Sequence, residues 1–139
     1  MKRQKKKPEL VQTLGQRKRA IARATARPGT GKIYINNLNL DAIEPELVRM
    51  QIKEPLMLAG DVSNTVDIKI NVQGGGVFGQ AAASRQAIAK ALVEYDSSLK
   101  QKFLEYDRSL LIADSRRTEP HKPSRSKAGP RRHKQRSKR

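Results

Sequence analysis

The excess of positive charge in this chain lies at its two ends, and that segregation sets the first expectation for which part folds alone. Residues 1–32 carry 11 Lys or Arg against one acid, Glu9, and residues 115–139 carry another 11 against Glu119 alone. Between them, residues 33–114 hold 8 basic and 11 acidic side chains. The whole formal excess of +17 therefore lies in the flanks. Like charges at that density repel one another and resist compaction until a polyanion neutralises them. The middle reads as a soluble core and the ends as cationic arms. Nucleic acid is the expected partner. An anionic membrane is less suited, because no amphipathic helix accompanies the charge.

Other features narrow the class. The chain has no Cys, so a disulfide framework and a Cys-based zinc site are both excluded, which fits a reducing compartment. No apolar run approaches the roughly 20 residues of a transmembrane helix. The basic stretch Met1–Pro8 has no apolar segment after it and does not resemble a secretory signal. A cytoplasmic protein is the default expectation. Trp is absent and Tyr34, Phe78, Tyr95, Phe103 and Tyr106 are the only aromatics, so the core must be largely aliphatic. So small a domain is expected to be modestly stable alone and to gain stability from the RNA that binds it.

Along the chain, residues 1–12 look unstructured. From Gln16 to Arg27 the sequence alternates, with Ala20, Ala22, Ala24 and Ala26 on one side and Arg17, Arg19, Ile21, Arg23, Thr25 and Arg27 on the other. Period two predicts a strand. Ala and Arg would also suit a helix, but the turn cluster Pro28-Gly29-Thr30-Gly31 followed by Lys32-Ile33-Tyr34-Ile35 favours a hairpin. Its alanine face would let a helix pack close, and its other face would present arginines about 7 Å apart. Because no acid interleaves with Arg17, Lys18, Arg19, Arg23 and Arg27, RNA contact is preferred over a merely solvated face.

Glu44-Pro45-Glu46 predicts a helix start, with Ile43, Leu47 and Met50 facing the core and Pro55 ending the helix. Leu56–Gly60 reads as a short helical segment stopped at Gly60. Thr65–Val72 is the clearest strand, with Val66, Ile68, Ile70 and Val72 on one face. A helix from about Gln80 to Tyr95 follows, its inner stripe Ser84, Ile88, Ala91, Leu92 and Tyr95. Another begins near Ser98, where Ser98 and Gln101 match a capping box, and carries Leu99, Phe103, Tyr106 and Leu110 on its apolar face. Leu110–Ile112 is expected to close the sheet as a last strand. The chain thus divides into a basic extension (1–13), a globular α+β domain (14–114) and an extended basic arm (115–139).

No catalytic site emerges. Gly29-Thr30-Gly31-Lys32 lacks phosphate-loop spacing, since Ala26 stands where the first Gly is needed and Ile33 where Ser or Thr is needed. His121 and His133 fall in the unstructured arm, and no cofactor or metal is expected. Gly74-Gly75-Gly76, with Gly79 before the Gln80 helix, admits two readings. One is a tight structural crossover; the other is a backbone approach to RNA phosphate at a helix N-terminus. A general nucleic-acid compactor and a small-molecule kinase are competing functional readings.

Three stretches together resemble a known family. They are Gly15-Gln16-Arg17-Lys18-Arg19-Ala20-Ile21-Ala22-Arg23, then Gly74–Ala81 with Arg85 and Ala87–Leu92, and finally Ser137-Lys138-Arg139. Their order resembles the universal family of the ninth protein of the small ribosomal subunit, from about Leu14 to Arg139. Asp114-Ser115-Arg116, Glu119 and Lys122-Pro123 add to it. The wording of Met1–Thr13 and Asp41–Leu56 resembles archaeal members. The resemblance implies a two-layer sandwich of a small mixed sheet with helices on one face and a left-handed βαβ crossover. It implies a structural, non-enzymatic role in the subunit head, with neighbouring head proteins, no membrane and no stable homo-oligomer. Ribosomal RNA would meet Arg17, Lys18, Arg19, Arg23 and Arg27, the loop residues Gly74, Gly75, Gly76, Gly79 and Gln80, and Arg85. Arg116, Arg117, Lys122, Arg125, Lys127, Arg131 and Arg132 would follow along the arm. Ser137, Lys138 and Arg139 would approach tRNA in the peptidyl site.

Overall fold

The alternating residues Val66, Ile68, Ile70 and Val72 become the buried spine of a five-stranded sheet. A computed structural model describes residues 8–120. The strands are β1 (Val11–Arg17), β2 (Ala20–Pro28), β3 (Ile33–Ile35), β4 (Leu38–Asn39) and β5 (Val66–Gln73), in the order β1-β2-β5-β3-β4. All pairs are antiparallel except β3 with β5. Three helices, α1 (Glu46–Ala59), α2 (Val77–Tyr95) and α3 (Leu99–Tyr106), complete the α+β fold. α2 lies across β1 and β2, and α1 packs beside it.

The alanine face behaves as its composition dictates. Ala20, Ala22, Ala24 and Ala26 are all buried, and α2 lies directly on them. Across the hairpin, Gly15 pairs with Ala22 in the same inner layer. A Cβ at Gly15 would overlap the Ala83 carbonyl oxygen and stand 2.7 Å from the Ala87 nitrogen. Strand and helix backbones are therefore nearly in contact. Thr13 Oγ1 donates to the Ala87 carbonyl at 2.8 Å, and Lys90 Nζ to the Leu14 carbonyl at 2.8 Å. The expected inner stripe of α2 is borne out, since Ser84, Ile88, Ala91, Leu92 and Tyr95 are all buried.

The sheet also corrects several expectations. The alternating segment is not one strand: it turns at Lys18-Arg19, and pairing reaches back to Val11, inside the stretch expected to be unstructured. Lys18 supplies the left-handed residue of that turn, φ 54°. Nor does β3 return beside β2. β5 lies between them, and the parallel β3–β5 pair requires a crossover, which α1 provides. The Pro28–Gly31 turn instead wraps the start of β5. The Thr30 and Lys32 amides each donate to Asp67 Oδ1 at 2.8 Å, and Gly29 N donates to the Thr65 carbonyl at 2.9 Å. The true second hairpin turns at Asn36-Asn37, both at positive φ, the backbone that a two-residue turn favours Asn to adopt.

α1 continues through Pro55 to Ala59, and Gly60 stops it, so the two predicted helical pieces are one. Its buried stripe is Val48, Ile52, Pro55 and Ala59, while Leu47 and Met50 are 64% and 56% exposed. The sequence offered two apolar stripes, and packing against α2 selected the one with β-branched residues. The Ser98 capping box does not form. Ser98 is already helical, so its hydroxyl is misplaced, and Gln101 pairs with Glu105 instead. Leu110 is buried in a 3-10 turn at Arg108–Leu110, not in a closing strand. Tyr106, expected on the apolar face, is exposed, and its hydroxyl donates to Glu54 Oε1 at 2.9 Å.

Gly15→Ala should lower unfolding stability by about 2–3 kcal/mol, the upper range for overpacking, because backbone has to move. Urea titration would check this. A midpoint equal to that of the parent protein would mean that α2 can shift freely.

Candidate nucleic-acid interface

Among the described residues α2 packs on the inner face of the hairpin, and no helix lies over the outer face of the sheet. Outer positions on β2 are Ile21, Arg23, Thr25 and Arg27, facing Gln73, Asn71, Lys69 and Asp67 of β5 in register. Arg23, Arg27 and Lys69 are exposed. Lys69 sits diagonally between the two arginines, about 7–8 Å from each across the strands. Tyr34 of β3, 38% exposed, stands beside Lys69, and Leu14 of β1 stands opposite Arg23. Asp67 is the sole acid at these paired outer positions of β2 and β5. Its carboxyl is held below the ordinary carboxylate range, chiefly by the Lys32 amide; desolvation opposes this and the Thr30 amide adds to it. That carboxylate is turned to its own loop, where it accepts from the Thr30 and Lys32 amides and not from Arg27 or Lys69.

At one end of this face the β1–β2 turn exposes Lys18 and Arg19 beside the glycine segment. Here the two readings of the glycines separate. Gly74 (φ 79°) is structural, since a Cβ would come within 2.5 Å of the Arg19 carbonyl oxygen. Gly75 (φ 65°) is nearly as crowded by Ala20. Gly76 is different, with no atom within 4 Å of where its Cβ would be. It is the N-cap of α2, has no side-chain cap, and precedes exposed Val77 and Phe78. The first amides of a helix have no intrahelical acceptor, so α2 presents donors there. Gln80 points elsewhere: its amide donates to the Gly74 carbonyl at 3.1 Å and braces the turn.

Four expected RNA ligands are committed within the chain. Arg85 is 13% exposed, paired with Glu54 and with Asp107 (2.8 Å), so that it ties α2 to α1 and to the end of α3. Partial burial alone would raise the Asp107 carboxyl. The Arg85 guanidinium and the Ser109 amide and hydroxyl together outweigh it and hold the group below its usual range. Arg17 lies on the inner side of β1 and pairs with Asp114. Arg116 also binds Asp114, at 2.7 Å, and Arg117 donates to the Lys18 carbonyl at 2.9 Å. Lys122, Arg125, Lys127, Arg131, Arg132, Ser137, Lys138 and Arg139 lie outside the described residues. Lys69 and Tyr34 were missed as candidates. The signal was present, because Lys69 occupies the phase opposite to Val66, Ile68, Ile70 and Val72.

Among the described residues no cluster of three His, Asp or Glu side chains is arranged to hold a metal, and no helix is long and apolar enough to cross a membrane. The family model for ribosomal protein S9/S16 matches residues 15–139. The chain is 50% identical over 131 residues to the small ribosomal subunit protein uS9 of Methanococcus maripaludis, covering 93% of this chain and 98% of that one. The uS9 of Methanococcus vannielii is 48% identical over the same coverage. Both organisms are archaeal, in line with the resemblance of Met1–Thr13 and Asp41–Leu56 to archaeal members.

Arg85→Gln should cost about 1–2 kcal/mol, less than a fully buried pair because both acids are partly exposed. The sign with pH follows from the lowered Asp107. Its contribution is complete above the unfolded carboxylate pKa of about 4 and is lost as pH falls through the lower folded value. Stability of the parent protein should therefore fall more steeply below about pH 4 than that of Arg85→Gln, as thermal melts at stepped pH would show.

Proposed function

Because the chain belongs to the ribosomal protein S9/S16 family, we propose that it binds ribosomal RNA through the open face of its sheet and reaches peptidyl-site tRNA with its C-terminal arm. It is a structural constituent of the small ribosomal subunit, not an enzyme, and acts in translation. The observation that carries the RNA reading is the uncovered face bearing Arg23, Arg27 and Lys69, where Asp67 is already engaged by its own loop. Lys18 and Arg19 at the turn and the α2 N-terminus at Gly76 extend that surface. Arg17 and Arg85 are withdrawn from it, because acids of the chain neutralise them.

The mechanism is electrostatic and geometric. Each cation that meets a phosphate releases a condensed counterion, so binding is strong at low salt and falls steeply as salt rises. The rigid sheet fixes the relative positions of its cations, which a free basic peptide cannot do. Lys122, Arg125, Lys127, Arg131 and Arg132 would extend the contact along ribosomal RNA in the subunit head, among neighbouring head proteins. Ser137, Lys138 and Arg139 would stand near the tRNA anticodon stem-loop.

Replacing Arg23, Arg27 and Lys69 together by Gln should weaken binding to a head-domain RNA fragment roughly tenfold and reduce the log–log salt slope by about 2–3. Filter binding at several salt concentrations reads both quantities. An unchanged slope would remove the sheet face from the interface, and equal affinity for duplex DNA would favour a general polyanion compactor. Arg139→Gln should leave subunit assembly intact while loosening peptidyl-site tRNA; unaltered tRNA affinity of such subunits would refute that role.

A further inference from the structure

Among the described residues, 111–120 carry no helix or strand to set the course of the chain, yet Asp114 and Arg117 tie this segment back to the β1–β2 hairpin. Asp114 pairs with Arg17, the last residue of β1, across 97 positions of sequence. The same carboxylate accepts the Arg116 amide at 2.9 Å and its guanidinium at 2.7 and 2.9 Å, closing a tight local turn. Arg117 then reaches back over the β1–β2 hairpin. It donates to the Lys18 carbonyl at 2.9 Å and to Gln16 Oε1 at 3.2 Å. The Gln16 backbone amide is itself bound by Gln86 of α2, a side chain only 3% exposed, at 2.8 Å. The crossing is thus referenced to the packed core through Gln16.

We propose that Arg17, Asp114 and Arg117 are positioning residues that fasten the base of the C-terminal arm to the β1–β2 hairpin and fix the direction in which the arm leaves the domain. The chemistry suits that task. A cleft of about 230 Å³ lies beside the Arg17–Asp114 contact, bordered by Gln16, Gln51, Gln86 and Ser109 among others. The attachment is therefore made by directional bonds and not by apolar packing. A guanidinium is a planar fork able to bridge two acceptors at a fixed angle, which an ammonium cannot do. The Lys18 carbonyl belongs to a left-handed turn residue, a conformation costing about 1–2 kcal/mol without Gly. Arg117 supports that turn from 99 residues away. Two arginines of the RNA-ligand set, Arg17 and Arg117, thereby act inside the chain. Whatever path residues past 120 follow, it starts from a fixed origin and heading. The benefit to tRNA contact rests on the function proposed above; the clamp itself rests on the geometry.

The absence of Cys allows a clean test with spin labels on the full-length protein. Labels at Glu94→Cys, exposed on α2, and Thr118→Cys, exposed in the arm, report the distance between core and arm base. One narrow distance distribution is expected in the parent protein. Asp114→Asn combined with Arg117→Gln should at least double its width. Arg117→Lys, which keeps the charge but loses the fork, should broaden it with little change in the urea midpoint. It is the variant to rely on if the double replacement folds poorly. A broad distribution in the parent protein, or a distribution as narrow in folded Arg117→Lys as in the parent, would overturn the proposal. No RNA is present in this measurement, so its outcome is separate from the salt titration that tests RNA binding.

Discussion

The near-contact between α2 and the β1–β2 hairpin is the constraint on which the rest of the structure depends. It is possible only because the facing residues are Ala20, Ala22, Ala24, Ala26 and Gly15, whose side chains leave almost no thickness between the two backbones. Dispersion contacts are densest when surfaces approach this closely, and the loss of even a small gap is favourable. Polar bonds from Thr13, Lys90 and Gln86 then lock the register of strand against helix. With α2 committed to one face, no helix among the described residues covers the other face of β2 and β5. Its cations are exposed as a consequence of packing elsewhere.

That arrangement also gathers one end of the molecule into a unit. The β1–β2 turn, the glycine segment after β5, the start of α2 and the base of the C-terminal arm all meet near Lys18 and Arg19. Gly74 is held against the Arg19 carbonyl, and Arg117 binds the Lys18 carbonyl. Local cost and global contact are balanced here. A non-glycine residue at positive φ is tolerated because partners distant in sequence support its peptide groups.

Charge in this chain follows two distinct logics. Arg23, Arg27 and Lys69 lie on the open sheet face, where the one acid facing them is bound by its own loop, so their charge is directed outward. Arg85 and Arg17 meet Glu54, Asp107 and Asp114 from other elements, and their charge is directed inward as structure. In sequence the two sets look alike. What separates them is distance to an acid in space, and that is set by how α1, α2 and the segment after α3 come together.

The sequence by itself determined the β5 alternation, the alanine face and the inner stripe of α2, because each rests on a local period that a single element imposes. It also exposed the glycine segment and the basic ends. It did not determine where the alternating stretch turns. A two-residue turn at Lys18-Arg19 reverses the parity of everything before it, so Arg17 joins the inner layer while Arg23 remains outside. Nor did it determine which apolar stripe of α1 is buried, or that β5 separates β2 from β3. Those choices belong to the tertiary structure, because periodicity describes one element at a time, whereas burial and pairing depend on what the other elements leave uncovered.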